Sequence, residues 1–248
     1  MNISVFIRGV LVTAEKNMMI YYNKPPVLIF GLLFPMFLFL AFFMGQGIDI
    51  HEFFPAFLAM VLFFTSSSVG PLITPWEKQS GTYERLLSFP VTINTIIMGD
   101  VLAGAIFGLF ISSSVLIAVT LFLDTAFKSI SLLLVSLLLG TFCFAALGVL
   151  IAAPASKTPS NIMMLSSLVR FPLVFISGIF IPLTELSNAG KYLALLSPLT
   201  YLVDIFHFSI GGTPSVPQYI DILALSAYTC IFLYVASYFH KKNLSKGL

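Results

Sequence analysis

The chain has 248 residues, 58% of them hydrophobic and only 9% charged, with a formal net charge of +2 and a mean hydropathy of +1.03. A soluble domain of this size carries about 25% charged and 45–50% apolar residues, so the composition excludes a soluble globular enzyme and identifies an integral membrane protein. The small net charge says nothing useful about nucleic acid, which is not an expected partner; the distribution of the charges matters more.

Met1–Asn23 alternates apolar and polar residues at helical spacing, with Val5, Phe6, Val10, Thr13 and Met18 to one side and Arg8, Glu15 and Lys16 elsewhere. This predicts a cytoplasmic interfacial helix over residues 1–24, ahead of a transmembrane unit over residues 25–248. No uninterrupted apolar core precedes Pro25, so no secretory signal peptide is expected. Apolar runs of about 20 residues predict six spans: Pro26–Met44, Phe53–Ile73, Thr95–Leu123, Leu132–Ala153, Ile162–Ile181 and Tyr219–Phe239. The expected fold class is all-α integral membrane.

Pro25-Pro26 opens the first span, and Pro35 is expected to kink it. Ile48–Phe54 reads as a tight outer loop, and the second span is expected to end near Pro71–Pro75. Trp76–Val91, WEKQSGTYERLLSFPV, follows as a dense polar island. Its charges, Glu77, Lys78, Glu84 and Arg85, are expected outside the hydrocarbon, where burial would cost several kcal/mol (about 2.5–3.5 per charge at mid-membrane). Ser80-Gly81 is a break, Thr82 can cap a short helix, and Glu84 suits its positive end. Tyr83, Leu86, Leu87 and Pro90 form an apolar stripe with Glu84, Arg85 and Ser88 facing away, and Pro90 stops the helix near Phe89. A short helix tied to two spans can be pushed from the water phase.

In the third span Gly104, Gly108 and Ser112 permit close helix approach, expected to serve packing within the chain. Asp124–Ser129 and Pro154–Asn161 are a short outer and a short inner loop. Arg170 lies inside the fifth span; it either faces a polar path or a subunit seam, paired with Asp100 or Glu77, or snorkels to the inner surface. No acid in the middle of a span accompanies it. Thr184–Pro217 is apolar and split by Ser197-Pro198, predicting two outer helices that dip back into the membrane before the last span.

Placing the N-terminus in the cytoplasm puts Arg8, Lys16, Lys24, Lys78, Arg85, Lys157, Lys241, Lys242 and Lys246 inside, with only Lys128 and Lys191 outside. That bias predicts a multi-pass cell-membrane protein with both termini cytoplasmic. Cys143 and Cys230 sit in apolar spans and read as buried thiols. His51, His207 and His240 are expected at surface-adjacent, capping positions. No phosphate loop of the GxxxxGK[ST] type, no HExxH and no Ser-His-Asp set occurs, so catalytic and metal residues are expected to be none.

Three groups of residues match one family in register. They are Glu77…Gly81-Thr82-Tyr83-Glu84-Arg85-Leu86-Leu87…Pro90-Val91, Phe171-Pro172…Ser177-Gly178…Pro182-Leu183, and Ser197-Pro198-Leu199-Thr200-Tyr201…Asp204. The chain resembles the permease subunit of a type-two ABC exporter, the group of drug, polysaccharide and daunorubicin-type efflux permeases. The resemblance implies a coupling helix within residues 77–91 seated on a cytoplasmic ABC ATPase, two copies of which would carry ATP and magnesium. It also implies a second copy of the chain or a homologous permease, a path lined by the first, second and fifth spans, and an outer re-entrant region over 183–217. Arg170, Phe171, Pro172, Ser177 and Gly178 would face the path or seam, and Pro198, Thr200, Tyr201 and Asp204 would build the re-entrant region. The expected activity is ATP-driven export of a hydrophobic or amphipathic substrate by alternating access, among membrane lipids. The competing reading is an ion- or proton-coupled carrier, or a membrane scaffold, without an ATPase partner.

Overall fold

The computed structural model describes residues 3–22, 24–46, 50–89, 91–122, 127–154, 158–181, 183 and 185–245, and among them every regular element is helical. Pro90, Asp124, Lys157, Pro182 and Lys246, each given a role in the sequence reading, lie outside the described residues, as do parts of the loops expected at Ile48–Phe54, Asp124–Ser129 and Pro154–Asn161.

Helix α1 (Ile3–Tyr21) lays Val10, Thr13, Ala14, Asn17 and Tyr21 against α7 (Ile93–Phe122). The docked face differs from the expected one: Val10 and Thr13 belong to it, but Val5 and Met18 are exposed and Lys16 turns inward. Small size decides the face, because a Cβ at Gly99 of α7 would stand 2.5 Å from the Thr13 Cβ. Ile3, Ile7, Leu11, Val12 and Met19 are left on the outside of α1.

The first span comprises α2 (Pro25–Leu28), a π-helical turn (Ile29–Leu33) and α3 (Phe34–Gln46). The kink expected from Pro35 takes the form of that π turn. Pro35 has no N–H for the Gly31 carbonyl; widening the preceding turn shifts the pairing by one residue, so that Phe34 N–H reaches the Ile29 carbonyl.

The second span is longer than its apolar run. It comprises α4 (Ile50–Ser68) and α5 (Gly70–Gln79), bent at Val69. Pro55 therefore lies inside a helix rather than beside a loop, and Pro71 and Pro75 do not end the span. Pro71 occupies the first turn of α5, a position that proline tolerates. At the bend a Cβ on Gly70 would stand 2.5 Å from the Gly148 carbonyl carbon, so two glycines let α5 cross α8 (Ile130–Ile151) backbone to backbone. Gly104 and Gly108 of α7 meet Ser66 in the same way, so the small-residue motif of the third span packs within the chain.

α4 is the hub. Of the apolar stretch within Phe53–Gln79, which joins it to α5, 94% is buried, against 11% for the last helix, α12 (Gln218–Ser245). Phe63 meets Phe144 at 4.9 Å, and Phe34 bridges Phe64 (4.9 Å) and Phe171 (5.3 Å), which ties the first, second and fifth spans together. Helix α6 (Thr82–Ser88) follows α5, and α9 (Pro159–Ile176) is the fifth span. Then α10 (Asn188–Ala194) and α11 (Pro198–Ser209) meet at 98°. Among the described residues, five helices are long and apolar enough to cross a membrane. The expected first span is a further helical run, and α10 and α11 form a bent pair where two re-entrant helices are expected, a shape shared by a broken span and a re-entrant element. Cys143 is buried as expected, whereas Cys230 is exposed on the outward side of α12.

Candidate functional site

The α5–α6 corner is built by short-range hydrogen bonds. Gly81 adopts φ 69°, a left-handed conformation that reverses the chain at little cost only for glycine. Ser80 Oγ donates to the Trp76 carbonyl (2.8 Å) and lies 2.9 Å from Thr82 Oγ1. Thr82 is not the cap: Gly81 holds that position, no side chain caps α6, and the Thr82 hydroxyl instead donates back to the Glu77 carbonyl (3.3 Å). α6 shows the expected two sides. Tyr83 is buried, Leu86 and Leu87 are half-buried, and Glu84, Arg85 and Ser88 are exposed. Leu87 packs against the apolar cluster that includes Ile93, Ile97 and Val101 of α7. Burial, then the carboxylates of Asp100, Glu77 and Glu84, push the Tyr83 phenol up to about 12, so it stays protonated.

Glu77 does not face water. It lies in the last turns of α5, 2% exposed, and its carboxylate is salt-bridged by Lys16 of α1. The Tyr21 ring stacks on Trp76 at 5.7 Å with Lys24 above the indole at 5.8 Å. One residue along α1, Asn17 Nδ2 donates to Asp100 Oδ1 of α7 at 2.6 Å. Burial raises the phenols of Tyr21 and Tyr22. Lys16, Asn17, Tyr21, Trp76, Glu77 and Asp100 thus form a bracket that clamps α1, α5 and α7 directly behind α6. Burying Glu77 is tolerable because the opposite charge of Lys16 accompanies it, although its Oε2 is left without a hydrogen-bond partner. Sequence reading missed the bracket; the available signals were Asp100 interrupting an apolar run and the adjacent Lys16-Asn17.

Arg170 is 5% exposed and donates to the Ser67 carbonyl. The cause is local: in a continuous helix that carbonyl would accept from residue 71, and Pro71 has no N–H. The guanidinium fills the gap, at a helix C-terminus where a cation is favoured. Arg170 therefore does not snorkel, and it makes no ion pair with Asp100 or Glu77, which Asn17 and Lys16 engage. Only about 10 Å³ of space lies beside it, among Ser68, Pro71, Leu72 and Ser166, about the room one water needs. Phe171 is half-buried against Phe34 and Pro172 is exposed. Ser177 donates to the Val174 carbonyl (2.7 Å), and Gly178 turns the chain at φ 81°.

The outer motif is a backbone fastening. Pro198 starts α11, Thr200 donates to the Ala194 carbonyl, and Tyr201 donates to that of Leu195 (2.8 Å). The Asp204 carboxylate accepts the N–H groups of Ser215 (2.8 Å) and Val216 (3.0 Å). Ser197 reaches the Leu173 carbonyl and Tyr228 that of Leu196 (3.1 and 2.9 Å). His207 lies 3.3 Å from the Thr213 carbonyl, in the capping place expected. His240 is instead buried, facing the Val149 carbonyl, and the His51 side chain lies outside the described residues. The middles of the spans hold no carboxylate, as expected, but buried acids do occur near their ends: Asp100 in α7 and Asp221 in α12. Among the described residues no group of three or more His, Cys, Asp or Glu could hold a metal ion.

A bundle of membrane-length helices around α4, with a short amphipathic helix α6 and a bent α10–α11 pair, defines an all-α polytopic membrane protein. The family model for the ABC-2 type transporter matches residues 8–210, and the chain belongs to that family. It is 31% identical over 134 residues to the inner membrane transport permease YadH of Escherichia coli (strain K12), a match spanning 54% of this chain and 52% of that permease. It is also 22% identical over 201 residues to nodulation protein J of Rhizobium meliloti (strain 1021), spanning 80% of this chain and 76% of that protein.

Proposed function

We propose that the chain is the transmembrane permease subunit of an ATP-driven exporter, with α6 as the coupling helix. The observation that carries this reading is the α5–α6 corner. Glu84, Arg85 and Ser88 face outward from a helix whose inner side is held by the bracket on α1 and α7. A push on α6 then reaches α5, and through the Val69 bend α4, the hub of the bundle. The energy comes from a separate cytoplasmic ABC ATPase, present in two copies and carrying ATP and magnesium, because this sequence has no phosphate loop. Both termini are cytoplasmic.

A second copy of the chain, or a homologous permease, completes the path. Leu28, Leu32, Met36 and Phe37 of the first span and Leu168 and Phe175 of the fifth remain exposed, forming apolar faces suited to a partner or to a hydrophobic or amphipathic substrate crossing by alternating access. The competing ion- or proton-coupled carrier draws on the buried carboxylates Glu77, Asp100 and Asp221. Glu77 and Asp100, however, are occupied by fixed partners, Lys16 and Asn17.

Co-purification with the ATPase, followed by a screen for compounds that stimulate ATP hydrolysis in proteoliposomes, tests the exporter reading. Transport that proceeds without any ATPase would favour the carrier. Orientation is tested by replacing Ser187 and Ser245 with Cys, one at a time, in a protein lacking Cys143 and Cys230. An impermeant thiol reagent on intact cells should label position 187 and not 245; the reverse contradicts the topology.

A further inference from the structure

A groove of about 510 Å³ runs between α1, α7 and α12, lined by Phe6, Ile97, Met98, Leu233, Tyr234 and Lys241 among others. Its volume lies in the range of ligand sites. It is not part of the path that the first, second and fifth spans would line. Its wall is mainly apolar, and its polar side chains cluster at one end. There Ser237 Oγ donates to Asn94 Oδ1 at 2.8 Å, so those two groups satisfy each other. Lys241 is exposed and makes no ion pair among the described residues. The next residue, Lys242, holds its ammonium 5.8 Å from the Tyr238 ring.

We propose that this groove is a binding site for a phospholipid with an anionic headgroup, the acyl chain lying along Ile97, Met98 and Leu233 and the phosphate meeting Lys241. The placement rests on the cytoplasmic orientation argued above, which sets the first turn of α7 and the last turns of α12 at headgroup depth of the inner leaflet. A basic group at the mouth of an apolar cleft between helices on that side recognises acidic lipid headgroups, and tyrosines such as Tyr234 and Tyr238 suit the interface. An uncharged amphiphile would leave the ammonium of Lys241 without a counter-ion. A protein partner would have to seat itself in a cleft opening sideways into lipid.

The test uses the full chain in phosphatidylcholine vesicles with traces of spin-labelled phosphatidylglycerol or, in parallel, spin-labelled phosphatidylcholine, reading the immobilised lipid fraction. Phosphatidylglycerol should be favoured about fivefold, the factor expected of one lysine near the surface. Lys241→Gln should bring the two lipids to parity, and Met98→Trp, which fills the groove, should lower immobilisation of both. Equal association of the two lipids in the wild type, or a preference surviving both substitutions, overturns the site. So does loss of the preference on adding inorganic phosphate alone, which would mean that the groove takes free phosphate. A groove covered by a second copy of the chain would immobilise neither lipid and also overturns it. The assay reads binding from either side, so failure of the orientation, seen as external labelling of Ser245→Cys, is a separate result.

Discussion

The bracket behind α6 and the α10–α11 hairpin secure opposite ends of one bundle by different means. The bracket joins three helices through side chains alone: Lys16 to Glu77 and Asn17 to Asp100, pairs 61 and 83 residues apart. The hairpin is fastened by side chains that reach backbone groups mostly 6 to 12 residues away, as Tyr201 and Asp204 do. A side-chain ion pair transmits motion between helices and fails badly when one partner is lost, because a charge is left buried. Backbone fastening fixes a local shape and loses one hydrogen bond at a time. On the proposed function, the end that is pushed is tied helix to helix, while the other end is fastened mainly to its own backbone.

The sharpest way to break this contrast is Lys16→Met, which leaves Glu77 buried and unpaired. It should destabilise the protein by about 3–5 kcal/mol, read as a lower melting temperature in detergent, and the double change Lys16→Met with Glu77→Met should recover much of the loss. A double mutant as unstable as the sum of the singles would mean that the two residues do not interact. Asp204→Asn should cost less, about 1–3 kcal/mol, since the amide keeps one acceptor for Ser215 or Val216, and should leave ATPase stimulation intact. Arg170→Leu orphans the Ser67 carbonyl at a cost of about 1–3 kcal/mol, with part restored by Arg170→Lys. Wild-type melting in both variants would show that the α4–α5 bend needs no such donor. Gly81→Ala should have the smallest effect on stability, about 1–2 kcal/mol for a non-glycine at φ 69°, together with weaker ATPase coupling as the corner reshapes.

The same contrast explains what could be read from sequence. The break between α10 and α11 was legible because its signal is local: Ser197-Pro198 starts a helix and splits an apolar stretch. The two sides of α6 were legible from the spacing of Tyr83, Leu86 and Leu87. The bracket was not, because each of its charges, taken singly, belongs in water. Glu77 is buried only because Lys16 meets it, and pairing across 61 residues leaves no periodic mark. The length of the second span was misread for a related reason. Pro71 and Pro75 look like stops, but Arg170, about a hundred residues on, supplies the donor that Pro71 lacks. Arg170 itself carried two opposed readings, and only the missing N–H of Pro71 shows why a cation sits there.

The most direct test of α6 as the coupling contact is the double reversal Glu84→Arg with Arg85→Glu. Both side chains are exposed and make no contact with the bracket, so the protein should insert and melt as the wild type does. Permease-dependent stimulation of the partner ATPase in proteoliposomes should be lost. Unchanged stimulation in a folded, inserted double mutant would contradict the account.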